Sequence, residues 1–127
     1  MSNRAVISTP NAPAAIGPYS QATKVGNTVW LSGQIALKPG ESSLSADDIE
    51  SQTRQVFENL AAVAEAAGGT LDNAVKINIS LLDLGDFDTV NRIMAEFLTE
   101  PYPARACVEV AALPKNALVE VEAILAL

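Results

Sequence analysis

The stretch AVKINISLL, residues 74–82, alternates apolar and polar side chains over most of its length. Because successive side chains of a β-strand point to opposite faces of a sheet, this period of two predicts a strand with one apolar face. The two faces are Val75, Ile77, Ile79 and Leu81 on one side, and Lys76, Asn78 and Ser80 on the other. The apolar face therefore requires a covering layer.

Two amphipathic helices are predicted, one before and one after this strand. The first begins at Ser45, whose hydroxyl can cap a free backbone amide, with Asp48 as a weak capping-box partner. It ends at Gly68-Gly69, since glycine readily takes the left-handed conformation that follows a helix. The second helix extends from about Asp86 to Leu98, and two prolines follow it. Both helices carry apolar residues at helical spacing, which predicts that they pack on the sheet.

Four further segments are strand-prone, and they are residues 20–25, 28–35, 104–110 and 118–127. Gly26-Asn27 between the first two predicts a tight hairpin turn. The predicted element order is β-β-β-α-β-α-β-β, with three strands before the first helix, of which the segments above give two. This order predicts a two-layer α/β fold with one sheet and both helices on one face. With 127 residues, of which 49% are hydrophobic, we expect a single domain over residues 1–127.

Composition excludes several kinds of site. The chain has no histidine, so histidine-based general bases, protease triads and His-ligated metal centres are excluded. A formal net charge of −7 argues against a nucleic-acid surface. Cys107 is the only cysteine, which excludes an internal disulfide and suits a reducing compartment. Without an apolar run of membrane-spanning length or a signal-peptide pattern, we expect a cytoplasmic protein.

The parity of each strand sorts its side chains between the two faces of the sheet. The helix-covered set comprises Val29, Leu31, Ile35, Val75, Ile77, Ile79, Leu81, Ala106, Val108, Val110, Val119, Val121, Ala123 and Leu125. The open set comprises Trp30, Ser32, Gln34, Lys76, Asn78, Ser80, Arg105, Cys107, Glu109, Leu118, Glu120, Glu122 and Ile124. Since this open face mixes apolar and charged groups, we expect a symmetric homo-oligomer to bury it around a small polar pocket.

Each candidate site residue also has an ordinary structural interpretation. Arg105 and Glu120 could be exposed charges of little energetic value, and Cys107 could be a small buried filler. Ser32 could simply end a strand, and Tyr19 could be a packing aromatic in a loop. Taken singly, none of these residues identifies a function.

Several blocks of sequence, taken together and in order, resemble the RidA/YjgF family of enamine/imine deaminases. They are AAIGPYSQA at 14–22, SGQI at 32–35, VN at 90–91, PARACVEV at 103–110, LPK at 113–115 and VEVE at 119–122. The resemblance spans nearly the whole chain. It implies a chorismate-mutase-like fold, with a six-stranded, mostly antiparallel mixed sheet and two helices on one face. It also implies a homotrimer with sites in the clefts between subunits.

The resemblance further implies hydrolysis of 2-aminoacrylate and related enamines or imines to 2-oxo acids and ammonia, with no cofactor and no metal. The substrate would be a small carboxylate-bearing imine. By motif, Arg105 would bind the carboxylate and Glu120 would handle protons and water. The pocket would be lined by Tyr19, Ser32, Gly33, Asn91 and Cys107.

One departure from the family pattern is Ala36, which stands where many relatives have proline after Ser-Gly-Gln-Ile. Two other functions stay open. One is an endoribonuclease, an activity long attached to the family, which the acidic composition disfavours. The other is a module that binds small 2-oxo acids, or acts as a chaperone-like holdase, without turnover.

Overall fold

Six strands form one mixed sheet in the computed structural model, which describes residues 3 to 127. The elements are β1 (Ala5–Ile7), β2 (Ala22–Val25), β3 (Thr28–Gln34), α1 (Ile49–Ala66), β4 (Ala74–Leu81), α2 (Phe87–Phe97), β5 (Ala104–Glu109) and β6 (Val119–Ala126). The spatial order is β1-β2-β3-β6-β4-β5. Neighbouring strands are antiparallel except β4 and β5, which are parallel. This confirms the predicted fold class, and the hairpin at Gly26-Asn27 is also present.

The core lies between the two helices and one face of the sheet. Phe57 and Leu60 of α1 are fully buried, in one cluster with Ile77 and Val121 of the central strands. The helices also touch each other, with the rings of Phe57 and Phe97 stacked at 5.5 Å. Within the described residues 3–127, no helix or second sheet covers the opposite face, as expected for two helices on one side.

Helix α1 begins later than predicted. Ser45 does not cap it, because its hydroxyl donates to the carbonyl of Ala36 at 3.1 Å. Asp48 is the N-cap instead, with an extended backbone (φ −98°, ψ 150°) and a carboxylate that accepts from the amide of Ser51 at 2.8 Å. A carboxylate also interacts favourably with the positive end of the helix dipole, which is why aspartate serves this position well.

Two β-bulges change the predicted facing of side chains. Leu31 pairs with Ala123 but Gln34 pairs with Val121, so β3 advances by three residues where β6 advances by two. Gln34 therefore shares the helix side with Val121 and is buried, so its predicted place on the open face was wrong. Ile35 lies beyond the end of β3 and lines a cavity together with Gln34.

The second bulge lies at the start of β4, where register shifts between Ala74 and Lys76. Val75 is the extra residue, and its side chain is 48% exposed rather than facing the helices. The prediction for Val75 was wrong because strict alternation holds only while both strands advance one residue at a time.

Strand β5 has the opposite facing from the prediction along its whole length. In its parallel pairing with β4, Arg105 lies beside Ile77, Cys107 beside Ile79, and Glu109 beside Leu81. Paired residues of neighbouring strands share a face, so all three point to the helix side. The assignments of Arg105, Cys107 and Glu109 to the open face were therefore wrong. Ala106 and Val108, predicted on the helix side, occupy the open face, where Val108 is 52% exposed.

Candidate active site

Three predicted site residues line one cavity of about 410 Å³, which we call the acid cavity: Tyr19, Gly33 and Glu120. Its apolar walls come from the loop before β2 and from the segment after β3, and they include Pro13, Ile16, Ile35 and Leu37. The β3 bulge makes this arrangement possible, since it turns Gly33 toward Glu120 and directs Ile35 into the cavity wall.

Glu120 packs directly over Gly33. A Cβ atom at position 33 would lie 3.0 Å from Cδ of Glu120 and 3.2 Å from its Oε1. Any side chain there would displace the carboxyl group, so glycine is required at 33 for Glu120 to occupy this place.

Burial raises the pKa of Glu120, and the negative charge of Glu122 raises it further. Within residues 3–127, the Glu120 carboxyl group makes no hydrogen bond or ion pair that would oppose these effects. A carboxyl group with a raised pKa keeps its proton at higher pH than an ordinary glutamate does, which favours a group that both donates and accepts a proton.

Ser32, predicted to bind substrate, holds the chain beside Tyr19. Its hydroxyl donates to the carbonyl of Ser20 at 2.5 Å, and its amide donates to the carbonyl of Gln21 at 3.0 Å. Because the hydroxyl proton is used within the chain, the oxygen of Ser32 can only accept a hydrogen bond from a ligand. Ser32 does not line the acid cavity itself.

Two further predicted residues, Asn91 and Arg105, line a second cavity of about 470 Å³, which we call the arginine cavity. The guanidinium lies over the ring of Phe87, 4.9 Å from its centroid, and Nη1 donates to Oδ1 of Asn91. Both contacts orient the guanidinium. Among residues 3–127 no carboxylate lies within ion-pair distance of Arg105, so its remaining donors are available to an anion.

Cys107 is two residues beyond Arg105 on the same side of β5, and it packs against the core. Burial raises the pKa of its thiol, although the positive charge of Arg105 acts in the opposite direction. A thiol with a raised pKa stays protonated at neutral pH and is a poor nucleophile. Cys107 can therefore pack or donate weakly, but it is not activated for covalent chemistry.

The predicted site residues thus form two groups on opposite faces of the sheet. Glu120 pairs with Ser80 on the open face, whereas Arg105 pairs with Ile77 on the helix face. The acid cavity and the arginine cavity have no lining residue in common. The prediction that Ser32, Arg105, Cys107 and Glu120 share one surface of the chain was wrong, because β5 faces the other way.

Sequence reasoning missed a set of buried amides that hold the walls of the acid cavity. Gln21 is 4% exposed, and its side chain bonds the backbone of Thr9, Ala12 and Pro13. Three more amides lie on α1 at positions 52, 55 and 59, and all are buried. Their spacing of three and then four residues places them on one side of the helix, a signal that the sequence already carries.

Residues 3–127, the part of the chain that the structure describes, contain neither a metal-binding cluster nor a membrane-spanning helix. No group of three or more His, Cys, Asp or Glu side chains is placed to hold a metal ion. No helix in this range has the length and apolarity needed to cross a bilayer.

Comparison with known proteins places the chain in a family. The family model described as Endoribonuclease L-PSP matches residues 9–127. The chain is 48% identical over 124 residues to a 2-iminobutanoate/2-iminopropanoate deaminase of Dermatophagoides farinae, covering 98% of this chain and 97% of that protein. It is 43% identical over 121 residues to the human protein of the same name, covering 95% and 88% of the two chains.

Solved structures agree with this placement. The crystal structure of RidA from an Antarctic Psychrobacter superposes with a TM-score of 0.93 at 53% identity, covering 97% of this chain and 99% of the other. Escherichia coli TdcF with bound serine superposes with a TM-score of 0.90 at 39% identity, covering 97% and 98%. The family match and these full-length likenesses show that this chain belongs to the RidA/YjgF family, the Endoribonuclease L-PSP family of the matching model.

Proposed function

We propose that this chain hydrolyses enamine and imine derivatives of small amino acids, such as 2-aminoacrylate, to 2-oxo acids and ammonia without a cofactor. Relatives that share nearly its whole length are named 2-iminobutanoate/2-iminopropanoate deaminases. The observation that carries the proposal is a pair of groups, Arg105 in one cavity and Glu120 in the other, that have no ion-pair partner among residues 3–127. An oriented guanidinium without an ion-pair partner suits a carboxylate, and a desolvated carboxyl group suits proton transfer.

Arg105 binds the substrate carboxylate in this proposal. The planar guanidinium can offer two parallel N–H donors to a carboxylate, which fixes both the position and the orientation of a molecule only a few atoms long. Asn91 and Phe87 hold the guanidinium from the protein side, so little further ordering is needed when the substrate binds.

Glu120 moves the protons. As a neutral acid it donates a proton to the terminal carbon of the enamine, which converts the enamine into a protonated imine. As a carboxylate it then removes a proton from a water molecule whose oxygen attacks the imine carbon. The amino alcohol that results breaks its C–N bond as the nitrogen receives that proton from Glu120 and the hydroxyl group gives its own proton back, so enamine plus water gives 2-oxo acid plus ammonia. Acid–base catalysis of this kind contributes about 10²- to 10⁴-fold.

The two groups come from different copies of the chain, since they project from opposite faces of one sheet. The open face carries Trp30 and Val108, which are 45% and 52% exposed. A second copy that covers this face would bury those side chains and bring its own Arg105 to the acid cavity. We propose a homotrimer with three such shared sites, located in the cytoplasm, where a lone cysteine stays reduced.

Mixing two inactive variants tests this proposal directly. Arg105→Ala and Glu120→Gln are each purified, and each is assayed for 2-oxo-acid release with imine generated by a serine or threonine dehydratase. The two are then unfolded and refolded together. Random assembly gives about one quarter of the sites both native residues, so activity should return to about that fraction.

Refolding each variant alone controls for recovery without mixing. No activity in the unaltered protein above the uncatalysed rate would refute the deaminase function. Activity in the unaltered protein, but none in the mixed refolded sample, would refute the shared site.

A further inference from the structure

Helix α1 carries three amide side chains inside the core, which no packing requirement explains. Gln52, Gln55 and Asn59 are 2%, 9% and 1% exposed. An apolar side chain of similar size would bury the same surface without needing hydrogen-bond partners. What the amides add is a fixed connection to particular backbone groups: the carbonyls of Ile35 and Leu37, which line the acid cavity, and the amide of Leu118, two residues before Glu120.

Asn59 holds the wall that follows the β3 bulge. Its Nδ2 donates to the carbonyl of Leu37 at 2.8 Å and to that of Ile35 at 3.3 Å. Both Ile35 and Leu37 line the acid cavity. Gln55 holds Asn59 in turn, because its Nε2 donates to Oδ1 of Asn59 at 2.9 Å. The carbonyl of Ala36, between the two, accepts from Ser45 at 3.1 Å. Three consecutive carbonyls are therefore tied in place.

Gln52 holds the second wall, the segment that supplies Pro114, Lys115 and Glu120 to the acid cavity, at Leu118, which does not itself line the cavity. Its Oε1 accepts from the amide of Leu118 at 2.9 Å, and its Nε2 donates to the carbonyl of Ala46 at 2.9 Å. Leu118 precedes Glu120 by two residues. The turn before it, at Lys115 and Asn116, has left-handed φ values of 56° and 58°, which non-glycine residues rarely adopt. The hydrogen bond between Gln52 and the amide of Leu118 thus fixes the strand that carries Glu120 just after a strained turn.

We propose that Gln52, Gln55 and Asn59 are positioning residues, which set the place of the Glu120 carboxyl group between its two walls. The inference rests on the function proposed above, in which Glu120 transfers protons. None of the three amides touches the arginine cavity. Their loss should therefore slow the chemical step and leave carboxylate binding nearly unchanged.

The test compares Asn59→Leu, Gln52→Leu and Gln55→Leu with Thr53→Val, all made in the full chain. Thr53 lies on the same helix, is fully buried, and donates only to the carbonyl of Ile49 at 2.7 Å within that helix. Thr53→Val thus removes one buried hydrogen bond from α1 without releasing either wall. Gln55→Leu is the mildest of the three changes, because Gln55 contacts the wall only through Asn59.

We expect kcat for 2-oxo-acid release to fall by about 10- to 100-fold in the Asn59 and Gln52 variants, with KM within about twofold of the unaltered chain. The limb of the pH–rate profile that depends on Glu120 should move to lower pH, as a carboxyl group released from its walls gains water. The charged groups that face Glu120 are Glu122 on its own strand and Glu41 and Lys115 across the cavity, and these variants leave all three unchanged. Thr53→Val should change neither kcat nor the position of that limb.

A loss of folded protein alone would lower kcat at every pH and would not move the limb. If the amide variants had the same kcat and the same pH profile as Thr53→Val, the positioning role would be wrong even though the unaltered protein is active. If Asn59→Leu and Gln52→Leu fail to fold, Gln55→Leu decides by the same two measurements. An unaltered protein without activity would instead overturn the proposed function, and the positioning role with it.

Discussion

Arg105 and Glu120 project from opposite faces of the same sheet, Arg105 beside Ile77 on the helix side and Glu120 beside Ser80 on the open side. A substrate a few atoms long cannot touch both groups of one chain through the sheet. We therefore propose that the functional unit is an assembly, in which Arg105 of one copy meets Glu120 of another. The following predictions test the parts of that arrangement.

Replacing Arg105 by alanine should lower kcat/KM by about 100-fold or more, since hydrogen bonds to a charged group contribute about 1.5–3 kcal/mol each and two are lost. The kcat/KM of Arg105→Lys should lie between those of Arg105→Ala and the unaltered chain, because an ammonium group keeps the charge but loses the planar pair of donors. Steady-state kinetics with dehydratase-generated imine measures both. The control is Arg92→Ala, an exposed arginine on α2 that pairs with Glu50 at 3.3 Å. If Arg92→Ala lowered kcat/KM as much as Arg105→Ala does, the carboxylate-binding role of Arg105 would be contradicted.

Glu120→Gln keeps the shape of the side chain and removes its ability to exchange protons. We expect kcat to fall by about 10²- to 10⁴-fold, the usual contribution of a positioned acid–base group. Binding of a 2-oxo acid, measured by calorimetry, should change little, because Arg105 provides the carboxylate contact. Unchanged kcat, or binding lost in proportion to kcat, would show that Glu120 is not the proton-transfer group.

Glu122→Gln should shift the pH dependence of turnover. The charge of Glu122 raises the pKa of Glu120, although burial is the larger cause. Removing that charge lowers the pKa of Glu120 but leaves it above its usual value, so the limb due to Glu120 moves toward lower pH. Asn78 donates to Oε1 of Glu122 at 3.1 Å, and glutamine retains an oxygen for this bond. A shift to higher pH in the kcat/KM profile would refute this coupling.

Asp48→Ala should lower the thermal unfolding midpoint at neutral pH, because the amide of Ser51 loses its acceptor at the start of α1. The hydrogen bond from that amide lowers the pKa of Asp48, so the carboxylate stabilises the fold above its ordinary pKa. This contribution disappears as the pH falls through the lowered pKa, and there the variant and the unaltered chain should unfold alike. Calorimetric scans at several pH values measure the difference. Asp47→Ala, at the neighbouring position outside the cap, should show none.

Val108→Asp should dissociate the assembly, because it places a charge on the open face where we expect a subunit contact. Light scattering should give the mass of one chain for the variant and of three for the unaltered protein. Turnover should vanish with the assembly, while the far-UV circular dichroism spectrum stays unchanged. A single-chain mass for the unaltered protein, with full activity, would remove the case for a shared site.

Local patterns in the sequence were sufficient for most of the elements and for the family, although no segment was named for β1 at Ala5–Ile7. The alternation in residues 74–82 and the helical spacing of apolar residues predicted β4 and both helices within a few residues, because period and burial are coupled along one element. The motifs around Ser32, Arg105 and Glu120 also identified the family correctly. The three buried amides of α1, Gln52, Gln55 and Asn59, also have helical spacing in the sequence. They were missed because burial was inferred from apolar residues alone.

The facing of the side chains was decided only by tertiary structure. A bulge adds one residue to β3 before Gln34 and another to β4 at Val75. The first reverses the facing of Gln34, and the second exposes Val75 while the rest of β4 keeps its predicted facing. The side that Arg105 faces depends on the register between β5 and β4, two strands joined through a helix. Alternation along one strand states which residues share a face, but not which face that is. That choice depends on pairing with a distant strand, so the sequence alone identified the family and the candidate site residues, whereas the fold decided that Arg105 and Glu120 lie on opposite faces.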